Sequence, residues 1–310
     1  MKKIDLITGF LGSGKTTFIK EYAKYLVSIG EKVCILENDF GAVNVDMMLL
    51  NELRSDNLEL EMVAGGCDKD CHKRRFKTKL IAMGMDDYTR IIVEPSGIFD
   101  VDEFFDSLYD EPLCRWYEIG SVITIVDGKT DVSMSEAARV MLASQVSNAG
   151  KIILSKTASC TKEDIDYTIK YIQESLSYVN CNRDISDDVI TKDLFDFTKD
   201  DFDGISNCSY KRESFIKRTF DENDEFMSLC FLEKGLSEDK IKSIVNKLFT
   251  EDEFGSILRV KGFFKSNGEW NQVNVTRSEI QIERLDEGQD VIIVIGETLN
   301  EEKILSLLES

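Results

Sequence analysis

Gly9-Phe10-Leu11-Gly12-Ser13-Gly14-Lys15-Thr16-Thr17 follows the apolar run Ile4-Asp5-Leu6-Ile7-Thr8 and opens a helical pattern that continues to Ser28. GxxxxGK[ST] between a strand and a helix is the pattern of a phosphate-binding loop. Gly9, Gly12 and Gly14 let backbone N–H groups curl around a β-phosphate, and the helix directs its N-terminal partial positive charge at the same point. In such a loop Lys15 reaches the β- and γ-phosphates and Thr16 ligates Mg²⁺, while Ser13 and Thr17 complete the cradle. The chain is therefore expected to bind a nucleoside triphosphate with Mg²⁺.

Outward from this loop, strand-like apolar runs at Ile4–Thr8, Val33–Glu37, Ile91–Glu94, Val122–Val126 and Ile152–Leu154 alternate with helical patterns at Lys15–Ser28, Lys73–Met83, Ser135–Ser147 and Lys162–Ser177. A weaker strand at Leu58–Val63 alternates Leu58, Leu60 and Met62 with acids. This β/α alternation with continuously apolar strands predicts a doubly wound, mostly parallel α/β sheet of the P-loop NTPase kind. From about Asp184 to Asp224 the chain turns acidic and polar, and a domain linker is expected there, with the NTPase domain at 1–204 and the linker proper at 205–224. Residues 225–310 then read as a smaller α+β domain. It has strands at Phe226–Leu232, Ile257–Phe264, Trp270–Val275, Glu279–Leu285 and Val291–Ile295, a helix capped by Ser237 with Lys240 to Phe249, and a last helix at Asn300–Leu308.

Composition bounds the function. A formal net charge of −20 opposes nucleic-acid or anionic-membrane binding. The one dense basic run, Lys69 to Lys79, reads as the solvated face of a helix. No apolar stretch approaches the ~20 residues of a membrane span. Met1-Lys2-Lys3-Ile4 leads directly into Asp5 and the phosphate loop, with no h-region of a signal peptide, so a cytoplasmic location is expected. The eight cysteines are scattered in the manner of reduced thiols, and only Cys67 and Cys71 have a ligand-like spacing.

Two further strand ends carry acids toward the phosphate loop. Arg90-Ile91-Ile92-Val93-Glu94-Pro95-Ser96-Gly97 ends in an acid suited to organise Mg²⁺ and its waters, and Gly97 can present its N–H to a γ-phosphate. Val33-Cys34-Ile35-Leu36 ends in Glu37-Asn38-Asp39-Phe40-Gly41. In this order GFLGSGKTT, ENDFGAVNVD, Gly65-Gly66-Cys67, VEPSG, Ile123-Thr124-Ile125-Val126-Asp127-Gly128 and LSKT resemble the CobW family of P-loop GTPases, relatives of the nickel-handling HypB and UreG proteins. Leu258-Arg259-Val260-Lys261-Gly262-Phe263 is similar to the RxKG strand of the CobW C-terminal domain, so the resemblance covers nearly the whole chain. It implies a nucleotide-hydrolysing metallochaperone or metallocofactor-assembly protein. Lys15 would then be catalytic along with Glu94, the Walker B position, and Asp39, the acid of the switch segment. Intrinsic turnover would be slow, on the order of 10⁻⁴ to 10⁻² s⁻¹.

The chain departs from the family pattern at its base-recognition motif, at its metal motif and at Ala42, where many relatives carry an acid. The base-recognition motif NKxD is here Ser155-Lys156-Thr157-Ala158, and Ala158 has no carboxylate to accept from guanine N1 and N2. GTP is the ligand the resemblance implies, with Lys156 packing over the base, while ATP or relaxed specificity stays open. A replacing carboxylate is sought at Glu163 or Asp164. The family's CxCC motif is here Cys67-Asp68-Lys69-Asp70-Cys71-His72. Two thiolates and the chain's single histidine, with Glu37, another acid or water, would make a tetrahedral soft site for Zn, Co or Ni close to the γ-phosphate. Redox contact and a structural remnant are the competing accounts of the cysteine pair, and a core or surface role is that of His72. The expected partner is a client metalloprotein or corrinoid protein. The alternative function is a nucleotide-switched client-binding or activation factor without its own metal site.

Overall fold

The computed structural model describes residues 1–39, 50–64, 69–97, 99, 101–130, 134–216, 226–277, 279–286 and 288–309. These fall into two compact units, divided between Ile216 and Phe226. In the first, β1 (Lys2–Thr8), β2 (Val33–Asp39), β3 (Leu58–Ala64), β4 (Arg90–Pro95), β5 (Tyr117–Asp127), β6 (Lys151–Ser155) and β7 (Val189–Ile190) form a parallel seven-stranded sheet in the order β3-β2-β4-β1-β5-β6-β7. Helices α1 (Lys15–Ser28), α2 (Lys69–Met85), α3 (Val101–Tyr109), α4 (Leu113–Trp116), α5 (Glu136–Ser147), α6 (Lys162–Tyr178) and α7 (Lys199–Ser206) accompany it. The strands are apolar on consecutive residues because both faces are covered. Cys34, Leu36 and Val93 pack with Phe76 and Leu80 of α2 and Phe104 of α3. On the opposite face, Ile35, Ile92 and Ile123 pack with Phe18 and Tyr22 of α1 and with Phe202 and Ile205 of α7. Edge strand β3 alternates instead, and its acids meet partners: Glu61 pairs with Lys79 at 2.6 Å, and Glu59 accepts from Tyr88.

A buried polar knot ties these elements together. Arg90 forks onto Asp5, Nε to Oδ2 at 2.6 Å and Nη2 to Oδ1 at 3.0 Å, while Ser121 N and Tyr22 Oη also donate to that carboxylate, both at 2.8 Å. Arg90 Nη2 reaches the Ser206 carbonyl at 2.6 Å, which binds the end of α7 to the sheet. Residues 184–216 thus belong with the first unit, although their polar composition reads as linker. The expected linker's first part, residues 205–216, stays on this unit as well. The cause is sparse but well-placed anchoring. Phe202 and Ile205 are the buried pair on a single turn, and Thr198 and Asp201 form a capping box that starts the helix. Helix α3 was also legible, since Val101, Phe104, Phe105 and Leu108 recur at helical spacing, yet no helix was expected there.

The second unit contains β8 (Phe226–Leu232), α8 (Glu238–Thr250), β9 (Ser256–Ser266), β10 (Glu269–Thr276), β11 (Ile280–Leu285), β12 (Val291–Glu297) and α9 (Glu301–Glu309). Its antiparallel sheet runs β11-β10-β9-β12-β8. Asn267-Gly268, a two-residue hairpin signal, joins β9 to β10. Ile244, Val245 and Leu248 of α8 and Ile304 of α9 cover Val260, Val273 and Val294 of the sheet. Among the described residues no helix is long and apolar enough to cross a membrane.

Candidate functional site

The parallel strands of the first unit share a carboxyl edge, and β1 occupies the middle of the sheet between β4 and β5. Open α/β sheets bind ligands at such an edge. The loop leaving β1 turns through Gly14, whose φ of 91° places it in the left-handed region as N-cap of α1. Only glycine takes that conformation without Cβ strain. Lys15 is buried at the helix start, and its Nζ donates to the carbonyl of Gly9 at 3.0 Å across the loop. The hydroxyl-bearing Ser13 is buried, whereas Thr17 faces solvent. Gly97 lies against the loop so closely that a Cβ there would stand 2.8 Å from Leu11 N. Gln145 Nε2 fixes this approach by donating to the Gly97 carbonyl at 3.1 Å. Gly97 is thereby brought to the phosphate loop, as its position after β4 suggested; the role of Gln145 carried no sequence signal.

Thr16 Oγ1 donates to Glu94 Oε1 at 2.9 Å. Two hard oxygen donors expected on Mg²⁺ from distant parts of the sequence therefore meet, and a hydroxyl beside a carboxylate is a donor pair suited to that ion. Glu37 and Glu94 are register partners on β2 and β4, and both are buried. Residues 35 and 92 pack on the α1 face, so by strand alternation Glu37 and Glu94 point to that side. The side chain of Asp39 is outside the described residues.

The thiol-bearing segment follows β3, whose last residue, Ala64, is the register partner of Asp39 on β2. Cys67 lies outside the described residues. Cys71 is half-buried near the start of α2, and His72 beside it is 1% exposed. His72 Nε2 is 2.8 Å from Asn38 Oδ1. An amide oxygen only accepts, so Nε2 donates and Nδ1 is the nitrogen that carries the lone pair in the neutral ring. Asn38 is on the opposite side of β2 from Glu37 by alternation, so the expected ligands Glu37 and His72 belong to different faces of the sheet. Among the described residues no three His, Cys, Asp or Glu side chains gather in a metal-binding cluster. The described cysteines form no disulfide. The basic run on α2 spends its charge locally: Lys73, Lys77 and Lys79 pair with Asp106, Asp110 and Glu61.

At the other end of the site, Ser155 closes β6 and its Oγ donates to the Ser13 carbonyl at 2.6 Å, joining this loop to the phosphate loop. Lys156 has left-handed backbone (φ 57°) and pairs with Asp127 at 2.8 Å. Asp164, sought as a replacement acid, is committed to the cap of α6: its Oδ2 accepts from Thr161 N and Oγ1, both at 2.9 Å, and these bonds hold its carboxyl below the usual range. Glu163 is exposed in the same first turn. Asp193, which drew no attention in the sequence, accepts from Ala158 N at 3.2 Å.

With this geometry in place, comparison with known proteins is informative. The domain described as CobW/HypB/UreG, nucleotide-binding domain, matches residues 3–185, and the Cobalamin synthesis protein cobW C-terminal domain matches residues 222–310. Zinc chaperone YjiA of Escherichia coli (strain K12) is 24% identical over 282 residues, covering 87% of this chain and 84% of that protein. Zinc chaperone YeiR of the same organism is 28% identical over 166 residues, 53% of this chain and 49% of the relative. A crystal structure of Zn(II)-bound YjiA GTPase from E. coli covers 99% of this chain and 97% of its own at 17% identity and a TM-score of 0.36. Motifs, fold and matched domains agree: the chain belongs to the CobW family of P-loop GTPases, with both the nucleotide-binding and the C-terminal domain of that family.

Proposed function

We propose that this protein is a GTP-dependent zinc metallochaperone, in which nucleotide binding and slow hydrolysis control retention and release of a Zn²⁺ cargo destined for a client metalloprotein in the cytoplasm. The observation that carries this is the convergence of strand ends. The thiol segment leaves β3 one strand from β2 and two from β4, whose Glu94 already meets Thr16 of the phosphate loop. A change at the γ-phosphate would be passed along these adjacent strands toward the segment that carries the thiols. Lys15 neutralises phosphate charge, Thr16 and Glu94 hold Mg²⁺ directly and through water, and Asp39 and Gly97 respond to the γ-phosphate. Bound Mg²⁺ would supply neutralisation of the phosphate charge.

Cys67 and Cys71 are proposed as the cargo thiolates, with His72 Nδ1 as a third donor whose opposite nitrogen is oriented by Asn38. Zinc is favoured over Co²⁺ or Ni²⁺ because the relatives named above are zinc chaperones. The test is an anaerobic titration of Zn²⁺, Co²⁺ and Ni²⁺ into reduced protein, with and without Mg²⁺ and a non-hydrolysable GTP or ATP analogue. Reciprocal coupling requires that nucleotide change Zn²⁺ affinity and that Zn²⁺ change nucleotide affinity by the same factor. Cys67→Ser is expected to abolish that coupling. Equal Zn²⁺ affinity in the two states removes the switch.

A second function is favoured by one specific observation, the assignment of Glu37 and His72 to different faces of the sheet. In it, nucleotide acts as a conformational ligand for client binding and activation, and the thiols carry no cargo. Client activation that survives Cys67→Ser together with Cys71→Ser selects this account.

A further inference from the structure

Position 158 is where a guanine-specific loop of this kind would carry its carboxylate, and alanine stands there. A carboxylate is nonetheless present at that point of the fold. Strand β7 pairs with β6 in the register Ile153↔Ile190, so the two chains leave the sheet side by side at the nucleotide edge. Three residues beyond Ile190, Asp193 turns its side chain onto the neighbouring loop. Its Oδ2 accepts from Ala158 N at 3.2 Å and from Thr157 Oγ1 at 3.4 Å, and its Oδ1 accepts from Phe195 N at 3.0 Å. Among the described residues no other carboxylate is hydrogen-bonded to Thr157 or Ala158, and Asp193 is only half-buried, open to a ligand.

We propose that Asp193 is the specificity-determining residue for the base, supplying from the loop after β7 the carboxylate that Ala158 lacks. The assignment rests on the chain being a GTP-binding switch. A carboxylate offers about four acceptor positions. Phe195 N and Ala158 N take one on each oxygen, and the long contact from the rotatable Thr157 hydroxyl is the one a base N–H displaces. Guanine then donates N1–H and N2–H to the two oxygens. Adenine presents a lone pair at N1 and no amino group at C2, so the same carboxylate faces an acceptor and selects against ATP. The two bonds already made to the loop backbone hold the carboxylate in place before the base arrives, which limits the ordering required on binding.

The competing role is a tether, in which Asp193 only fastens the 157–158 loop to β7 and caps the short turn at Leu194. Measuring the affinities of the full-length protein for GTP, ATP and xanthosine triphosphate with Mg²⁺, for the wild type, Asp193→Asn and Asp193→Ala, separates them. Asparagine keeps an acceptor for Ala158 N but turns one base-facing oxygen into a donor, which suits the C2 carbonyl of xanthine. The wild type is expected to prefer GTP to ATP. Asp193→Asn should weaken GTP by about 10- to 100-fold, the range for hydrogen bonds to a charged group, strengthen xanthosine triphosphate by a comparable factor and leave ATP no weaker. Asp193→Ala should lose GTP to a similar degree without the xanthine gain, and an ATP affinity no weaker than the wild type's certifies that the variant is folded. A wild type that prefers GTP, with variants that weaken all three nucleotides equally or none, overturns the role of Asp193 alone. A wild type with no affinity for any of the three overturns the GTP switch itself, and this role with it.

Discussion

At the phosphate end of the site, the groups proposed to face the ligand come from a continuous strand, loop and helix, β1 to α1, supplemented by Glu94 and Gly97 at and just beyond the end of β4. At the base end, Ser155 and Lys156 come from the loop after β6, while the carboxylate bonded to that loop comes from Asp193, beyond β7. The first construction depends on backbone N–H groups and a fixed spacing, so few residue types satisfy it at each position. The second depends on one acceptor at one place, which any neighbouring loop can deliver. A contiguous device constrains its own sequence; a composite one lets a residue be lost where another stands beside it.

The largest effect that bears on this contrast is expected from Lys15→Ala. Removing the buried ammonium should weaken GTP and ATP alike by at least 10²-fold, about 3 kcal/mol, because phosphates are common to both. Competition binding with a fluorescent nucleotide analogue reads this directly, and a loss confined to GTP would show that the two ends are not separable. Glu94→Gln addresses the same end at the level of chemistry. The amide keeps a hydrogen-bond acceptor for Thr16 but loses the charge that organises Mg²⁺, so hydrolysis is expected to fall about 10²-fold while nucleotide affinity changes less than tenfold. Single-turnover hydrolysis at saturating nucleotide is the measurement, and an unaltered rate would remove Glu94 from the Mg²⁺ site.

Both ends stand on one sheet, and the sheet sets an alkaline limit. Burial, with Glu61 and Glu59 nearby, pushes the Cys34 thiol from its ordinary value near 9 up to about 12, and burial pushes Cys208 up to about 11. Burial also raises the Tyr22, Tyr88 and Tyr117 hydroxyls. Each group keeps its proton in the folded state after the unfolded chain has released it. Their contribution is therefore intact below about pH 9 and declines as pH rises toward the folded values, by about 1.4 kcal/mol per pH unit for each thiol. Urea unfolding at pH 8, 9, 10 and 10.5, with Trp116 as reporter in a Trp270→Phe background, follows the first unit by itself. Stability that stays level from pH 9 to 10.5 contradicts the burial assigned to these groups.

How much of this was legible follows the same division. The phosphate loop, the Glu94 strand and the β9–β10 hairpin could be read because each is encoded in adjacent residues: a spacing, an apolar run ending in an acid, or Asn267-Gly268 between two strands. Residues 184–216 could not be read in that way. Their hold on the sheet depends on Phe202, Ile205 and the Ser206 carbonyl reaching residues more than a hundred positions away. Asp193 was invisible for the same reason, as its place beside Ala158 is made by strand pairing and leaves no local pattern. His72 was half legible. Its nearness to Cys71 is in the sequence, but its bond to Asn38, which decides the nitrogen it can offer, is not.

The smallest expected effect falls on a hydrogen bond that spans the two ends. Ser155 Oγ donates to the Ser13 carbonyl at 2.6 Å and is 3.3 Å from the Val126 carbonyl, so it couples the base loop to the phosphate loop without facing either part of the nucleotide as a reader. Ser155→Ala removes about 1 kcal/mol of that coupling, which should weaken GTP and ATP by the same roughly fivefold factor and leave their ratio unchanged. The ratio is the sharp quantity. If absolute affinity holds while the GTP-to-ATP preference moves, Ser155 discriminates bases itself, and the base end is less composite than its geometry implies. If both affinities fall together, the hydroxyl acts on the loops alone, and base choice is left to the carboxylate in the loop beyond β7.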